Sequence, residues 1–260
     1  MQQRLIGTFA LCWAILLACL SACESETEIL DIDYGISYFP MDSGHWVIYQ
    51  VDSVIYSKFL AGGKDTVSAQ LKEVLGGTFI DNLGRTARKV ERYVRHNPNT
   101  DWTSIAPNIW YALADSQRAE RMEGDLRFVK MAFPVTQYQT WNGNSYINTA
   151  NSSLHLYDNW TYRYTNIDEP ATINAQQLDG TPTSNSFERT VTVSQTTRED
   201  NDNLVEYSYA TEQYAYGVGM IHKELWLLEL GSKPIESPAP WPDRAENGFI
   251  TTYKLIDYKH

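Results

Sequence analysis

Two stretches decide the fold: Trp160-Thr161-Tyr162-Arg163-Tyr164-Thr165, and the run from Phe187 to Thr197. In the first, aromatic residues at 160, 162 and 164 alternate with polar ones, a period of two. In the second, Phe187, Val191 and Val193 share one parity, while Glu188, Thr190, Thr192, Ser194 and Thr196 hold the other. Successive side chains of a strand point to opposite faces, so this alternation describes strands with one face buried. Val205, Tyr207 and Tyr209 repeat it against Glu206 and Ser208. From Trp46 to Tyr56, the residues Val47, Tyr49, Val51 and Ile55 are expected on one face. Phe249–Tyr258 ends the chain on strand-forming Ile, Thr and Tyr.

Turn residues punctuate these runs: Gly62-Gly63, Gly76-Gly77, Asn82-Leu83-Gly84, Asn142-Gly143 and Asp179-Gly180. Asn142-Gly143 is the pair that suits a two-residue hairpin turn. Helical spacing exists only in Ile109–Glu123, where Trp110, Leu113, Ala114 and Gln117 share a face. The same region also reads as a hairpin around Gly124, and strands are preferred there. Two long loops are expected, Asp168–Ser186 and the proline-rich Gly231–Gly248 around Trp241. With no repeat and no internal linker, about 220 residues and about ten strands fit one domain. The fold class is all-β and mainly antiparallel: a single curved sheet, half-barrel or barrel-like domain with few or no long helices.

The composition, 43% hydrophobic and 13% aromatic, is that of a folded chain, and the net charge of −11 lacks the basic footprint of a nucleic-acid binder. All three cysteines, Cys12, Cys19 and Cys23, fall in the first 23 residues, so the remainder can form no disulfide. The N-terminus combines Arg4, an apolar run from Leu5 to Leu20 and a small-residue end, which is the form of an export signal. Its ending, Leu20-Ser21-Ala22-Cys23, resembles the bacterial lipobox, which implies a diacylglyceryl lipid on Cys23. Leu16-Leu17-Ala18-Cys19 also ends in Ala-Cys, but the polar switch directly after Cys23 favours the second cysteine. Residues 1–22 are then a signal peptide, 23–36 an acidic tether and 37–260 a single β-rich domain. Glu24, Glu26 and Glu28 with Asp31 and Asp33 make the tether self-repelling. An acidic stretch here is similar to the surface-export signals of Bacteroidota lipoproteins. The expected location is therefore the cell envelope, at the outer membrane, with the leaflet left open.

Chemical motifs are scarce. His45, His96, His155, His222 and His260 show no paired spacing, so no metal site is expected. His222-Lys223-Glu224 places a histidine and a carboxylate on one strand face, read as a solvated face. Asp200-Asn201-Asp202-Asn203 lacks the later residues of a calcium loop. No G-x-S-x-G occurs, and Gly217-Val218-Gly219 reads as a strand entrance or bulge. Glu120/Glu123 and Glu224/Glu229 have odd spacings that place them on opposite strand faces. Arg85, Arg88, Lys89, Arg92, Arg95, Arg118, Arg121, Arg127 and Lys130 cluster, and their interleaving with Glu91, Glu120, Glu123 and Asp125 predicts cross-strand ion pairs. Tyr207, Tyr209, Tyr214 and Tyr216 are the densest of the 17 tyrosines. No catalytic residue, ligand-binding residue or cofactor is singled out beyond the lipid on Cys23.

Tyr38-Phe39-Pro40-Met41, Gly44-His45-Trp46-Val47-Ile48-Tyr49, Arg127–Pro134, Trp141–Asn144, Tyr214–Glu224 and Tyr253–Tyr258 together resemble a group of uncharacterised Bacteroidota cell-envelope lipoproteins. The resemblance implies location but no activity. The expectation is a non-catalytic, lipid-anchored protein whose concave aromatic face binds an apolar or amphiphilic ligand such as a lipid. The alternatives are a surface-exposed glycan- or protein-binding module, with Trp241 as an exposed platform, and a structural accessory protein. Partners are the membrane, through the anchor, and one such lipid, glycan or protein ligand, with no nucleic acid. Cys23→Ala is expected to move the protein from the membrane to the soluble fraction; membrane retention of that variant would overturn the anchor assignment.

Overall fold

A computed structural model describes residues 32–105, 110–196, 204–231 and 239–259. The signal segment, Cys23 and Asp200–Asn203 lie outside the described residues. Backbone contacts divide the chain into two units, Met1–Asp33 and Tyr34–His260, and the second is the folded domain described below. Its packing begins at Tyr34, inside the stretch read as tether: the Tyr34 carbonyl accepts from the Val135 N–H at 3.0 Å.

The domain is all-β, with 13 antiparallel strands in one nearly closed, barrel-like sheet. In chain order they are β1 (Trp46–Tyr56), β2 (Lys64–Ile80), β3 (Thr86–Arg95), β4 (Thr103–Ser104), β5 (Trp110–Ala114), β6 (Arg118–Glu123) and β7 (Leu126–Ala132). Then follow β8 (Thr140–Trp141), β9 (Tyr162–Gln176), β10 (Pro182–Thr196), β11 (Glu206–Ala215), β12 (Gly219–Glu229) and β13 (Asn247–Lys259). The sheet runs as a meander, with β3 also pairing β5 past the short β4. First and last strands pair from Trp46↔Lys259 to Tyr56↔Gly248. The open edges are therefore β7 and β8, where the chain crosses from its first half to its second.

That seam is stitched by isolated bonds rather than by a ladder. The Val129 N–H donates to the Gly143 carbonyl and Trp141 Nε1 to the Val129 carbonyl, each at 2.8 Å. The Tyr164 hydroxyl donates to the Ala132 carbonyl at 2.7 Å. Gly143 is no hairpin turn, contrary to expectation. It lies beneath Tyr162, whose ring would sit 2.3 Å from any Cβ at that position.

Alternation holds where it was clearest. Trp160, Tyr162 and Tyr164 are all buried, as are Val191 and Val193. The Arg118–Glu123 and Leu126–Ala132 strands form the hairpin around Gly124, and Trp110–Ala114 is a strand. Ile55 keeps the parity of Val47, Tyr49 and Val51, since β1 pairs β2 without a shift, but it is exposed, while Tyr56 on the opposite face packs in a separate core. Two expectations fail for one reason: a bulge interrupts the period. Gly76-Gly77 is not a turn but sits inside β2, where pairing shifts between Leu75 and Thr78. Asp168–Ser186 is not a loop but most of the β9–β10 hairpin, turned at 177–181. Asn166 and Asp168 have φ of 52° and 58°, and Pro170 falls at a register shift where its missing N–H costs no ladder bond.

Opposite faces of the sheet carry separate cores. Leu227 packs with Ala210, Tyr214 and Val191 inside the barrel. Its neighbour Leu228 packs outside with Tyr56, Tyr207 and Trp241. Trp241 opens a single helical turn, Trp241–Arg244, and stacks on Tyr207 with ring centroids 5.6 Å apart. At 7% exposure it closes the outer core and offers no exposed platform.

Gly248 has φ +105°, and a Cβ there would lie 1.9 Å from the Leu227 carbonyl oxygen. Gly248→Ala is therefore expected to cost roughly 2–4 kcal/mol through backbone strain and overpacking, read as a fall in urea midpoint. Gly77→Ala, with no atom within 4 Å of the new Cβ, is the matched control and should shift the midpoint little.

Candidate functional site

Inside the barrel, charged side chains from six strands meet. Lys130 on β7 bridges Glu212 on β11 and Glu123 on β6, both at 2.8 Å. Lys223 on β12 bridges the same two carboxylates, each at 3.2 Å. β7 and β11 are not neighbours in the sheet, so the Lys130–Glu212 contact crosses the interior. Glu73 on β2 takes Arg92 of β3 and Arg121 of β6, and Arg121 links onward to Glu123 at 3.7 Å. The Tyr214 hydroxyl donates to Glu212 at 2.6 Å, and the Arg92 guanidinium lies 3.6 Å from the Trp110 ring centre.

Burial pushes the Glu212 carboxyl up, but Lys130 and Lys223 outweigh it and hold the group well below the ordinary 4.5. The same balance lowers Glu123, and Arg121 with Arg92 does so for Glu73. Conversely, burial alone would lower Lys223, yet Glu123 and Glu212 leave it raised. Glu73, Glu123, Glu212 and Lys223 are therefore held in their charged forms. A cavity of about 50 Å³ adjoins it, lined by Tyr49, Glu73, Arg121, Tyr214 and Val218 among others. That is room for a few waters, far below the several hundred cubic ångströms that enclose an organic ligand.

On the opposite face of β6, Glu120 is buried beneath Arg85, Arg118 and Arg127, and Arg85 also holds Asp81 at 2.7 Å. Glu120 and Glu123 thus occupy opposite faces, as their spacing indicated. Of the nine clustered basic residues, Arg92, Arg121 and Lys130 turn inward while Arg85, Arg118 and Arg127 pair outside. Arg95 binds the Gln70 side chain at 2.7 Å, and Arg88 the Gly76 carbonyl at 2.8 Å. Ion pairs with carboxylates thus engage six of the nine, several of them across strands, while Arg88 and Arg95 bind neutral oxygens.

Beside the seam a groove of about 890 Å³ runs between the 135–140 segment and β9. Val135, Tyr138, Thr140, Arg163, Asn166 and Glu169 contribute to its walls. Tyr138 is 86% exposed and adopts a φ of 70°, a conformation that bulky residues rarely hold.

Among the described residues one group has metal-ligand spacing: His155, Glu206 and Glu229. His222, by contrast, is half-buried beside Lys254 and Gln213, and burial pushes its imidazole below 6.5. Lys223, between His222 and Glu224, has the opposite parity and turns into the barrel, where no sequence motif marks it. Tyr207 and Tyr214, from the dense tyrosine group, lie on opposite faces of β11, one in each core.

No family model matches this chain, and no curated protein matches it significantly. Two solved structures share some of its shape. One is a Bacteroides fragilis protein inferred to be exported, with a YmcC-like fold: TM-score 0.38, 10% identity, 85% of this chain and 98% of that one. The other is a protein inferred to be a lipoprotein from Parabacteroides distasonis: TM-score 0.30, 10% identity, 88% of this chain and all of that one (100%). Similarity at this level carries no functional argument.

Glu212→Ala would leave Lys130 and Lys223 buried with one carboxylate fewer, at an expected cost of about 3–5 kcal/mol, checked by urea unfolding. In the wild type the depressed carboxylates contribute stability that is complete above the unfolded value of 4.5. It is lost as pH falls from 4.5 toward the folded value of about 2 for Glu212. Melting temperature should therefore drop across that window, and less steeply in Glu212→Ala.

Proposed function

We propose that this chain is a non-catalytic, lipid-anchored protein of the cell envelope whose barrel binds a glycan in the seam groove. The anchor rests on Leu20–Cys23, and the acidic tether holds the domain off the outer membrane. Absence of catalysis is supported by the interior carboxylates, each neutralised by cations rather than left near neutral pH as a general acid requires. An apolar ligand inside the barrel loses support because charge occupies the interior and the adjoining cavity is small.

The observation that carries the glycan reading is the groove itself. Its volume of about 890 Å³ suits a small ligand, and it joins an exposed aromatic ring, Tyr138, to amide, hydroxyl and charged groups. A flat ring stacks on the apolar face of a sugar, while Thr140, Asn166 and Arg163 supply hydrogen-bonding partners. An extended peptide fits less well. The bulges at Asn166 and Asp168 and the proline at 170 spoil this edge of β9 for strand addition.

Residues 24–260, purified without detergent, are expected to bind oligosaccharides on a glycan array. Tyr138→Ala should weaken that binding about 2- to 10-fold with no change in melting temperature. A bare array, together with a reproducible solvent-extractable mass in native mass spectrometry, would overturn the glycan reading in favour of an amphiphile.

A further inference from the structure

We propose that His155, Glu206 and Glu229 form a site for a divalent transition metal of the zinc class. His155 lies in the 3-10 turn His155–Tyr157, between β8 and β9. Glu206 and Glu229 sit at the first position of β11 and the last of β12, and they are direct cross-strand partners. The ladder thus fixes two carboxylates side by side, on the strand parity that faces the barrel interior.

The imidazole is oriented from behind. Nδ1 lies 2.6 Å from the Ser152 carbonyl oxygen, which can only accept, so Nδ1 carries the hydrogen. Nε2 then faces Glu206 at 3.0 Å and Glu229 at 3.3 Å. Between two carboxylates, Nε2 either takes a second proton or gives its lone pair to a cation. A backbone carbonyl behind the imidazole is the support that metal-bound histidines receive.

The spacing admits the cation. Tetrahedral zinc with bonds of about 2.0–2.1 Å separates its ligands by about 3.3–3.4 Å, close to both histidine–carboxylate distances. All the ligand atoms lie within 4.8 Å of one another. One imidazole and two carboxylates form a zinc-type set rather than the all-oxygen set of calcium. The three side chains are each about a third exposed, at 35%, 35% and 34%. A fourth position is thereby open to water or to an anionic ligand. Bound metal would tie the 3-10 turn to the ends of β11 and β12.

The test is zinc titration of the metal-stripped mature chain by calorimetry, with cobalt as a spectroscopic probe. One zinc per chain is expected, with the visible absorption of four-coordinate cobalt and a raised melting temperature. His155→Ala should weaken zinc binding at least 100-fold, and Glu206→Gln and Glu229→Gln each at least 10-fold. The surface position of His155 leaves the fold intact, which circular dichroism of the variant verifies. No zinc uptake, or uptake unchanged in His155→Ala, would overturn the site and leave the trio as an imidazolium ion pair.

Discussion

Lys130 and Glu212 meet across the inside of a sheet whose two edges share no ladder, and the shape of the barrel follows from that contact. Backbone hydrogen bonds order the strands from β7 round to β8, but at the seam the described bonds are few. Cross-barrel ion pairs supply what the ladder does not. Their net contribution to stability is modest, because desolvation cancels most of the Coulomb gain. Their effect on register is larger. A one-residue slip of β12 would turn Lys223 outward and His222 inward, leaving Glu123 and Glu212 short of a cation in low dielectric. Hydrophobic positions tolerate exchange of one apolar side chain for another, whereas this network tolerates only one alignment of β6, β7, β11 and β12.

The same network explains how far the sequence could be read. Strands with an apolar parity, such as Phe187–Val193 and Trp160–Tyr164, were legible because one face is oily and the other polar. Lys223, Lys130 and Arg121 follow the same geometry, but their chemistry is that of a solvated face. Partners such as Glu212 lie 82 residues from Lys130, a distance over which spacing carries no information. Bulges hid the rest. Asp168–Ser186 is polar on both faces over much of its length, and the positive-φ residues Asn166 and Asp168 shift the period where it begins. Proline and glycine there mark irregular strand rather than loop. Gly143 illustrates a further ambiguity: Asn-Gly suits a tight turn, yet here the missing side chain is what lets Tyr162 close on the backbone.

Placement of the aromatics separates the possible binding faces. Trp241, in its proline-rich surroundings, had the composition of a platform, but the outer face of β11 and β12 is apolar at Tyr207 and Leu228 and needs a cover. Stacking on Tyr207 meets that need and removes the indole from solvent. Tyr138 has the opposite setting. It projects from the segment that crosses the seam, on backbone that disfavours a bulky residue, and stays largely exposed. Strain of this kind persists where surrounding structure enforces it, and such positions concentrate at binding sites.

An incomplete barrel also has to manage its open edges, and the two edges do so differently. β7 is covered by the Trp141 and Tyr164 side chains, which take its carbonyls at 129 and 132. β9 is shielded by β8 only at Tyr162 and Arg163, after which bulges and Pro170 break the regular array that another strand would need. Long flat edges invite aggregation, and the distorted backbone of this edge offers a second chain no regular ladder. The bulges and Pro170 that protect this edge therefore also shape one wall of the groove beside Tyr138.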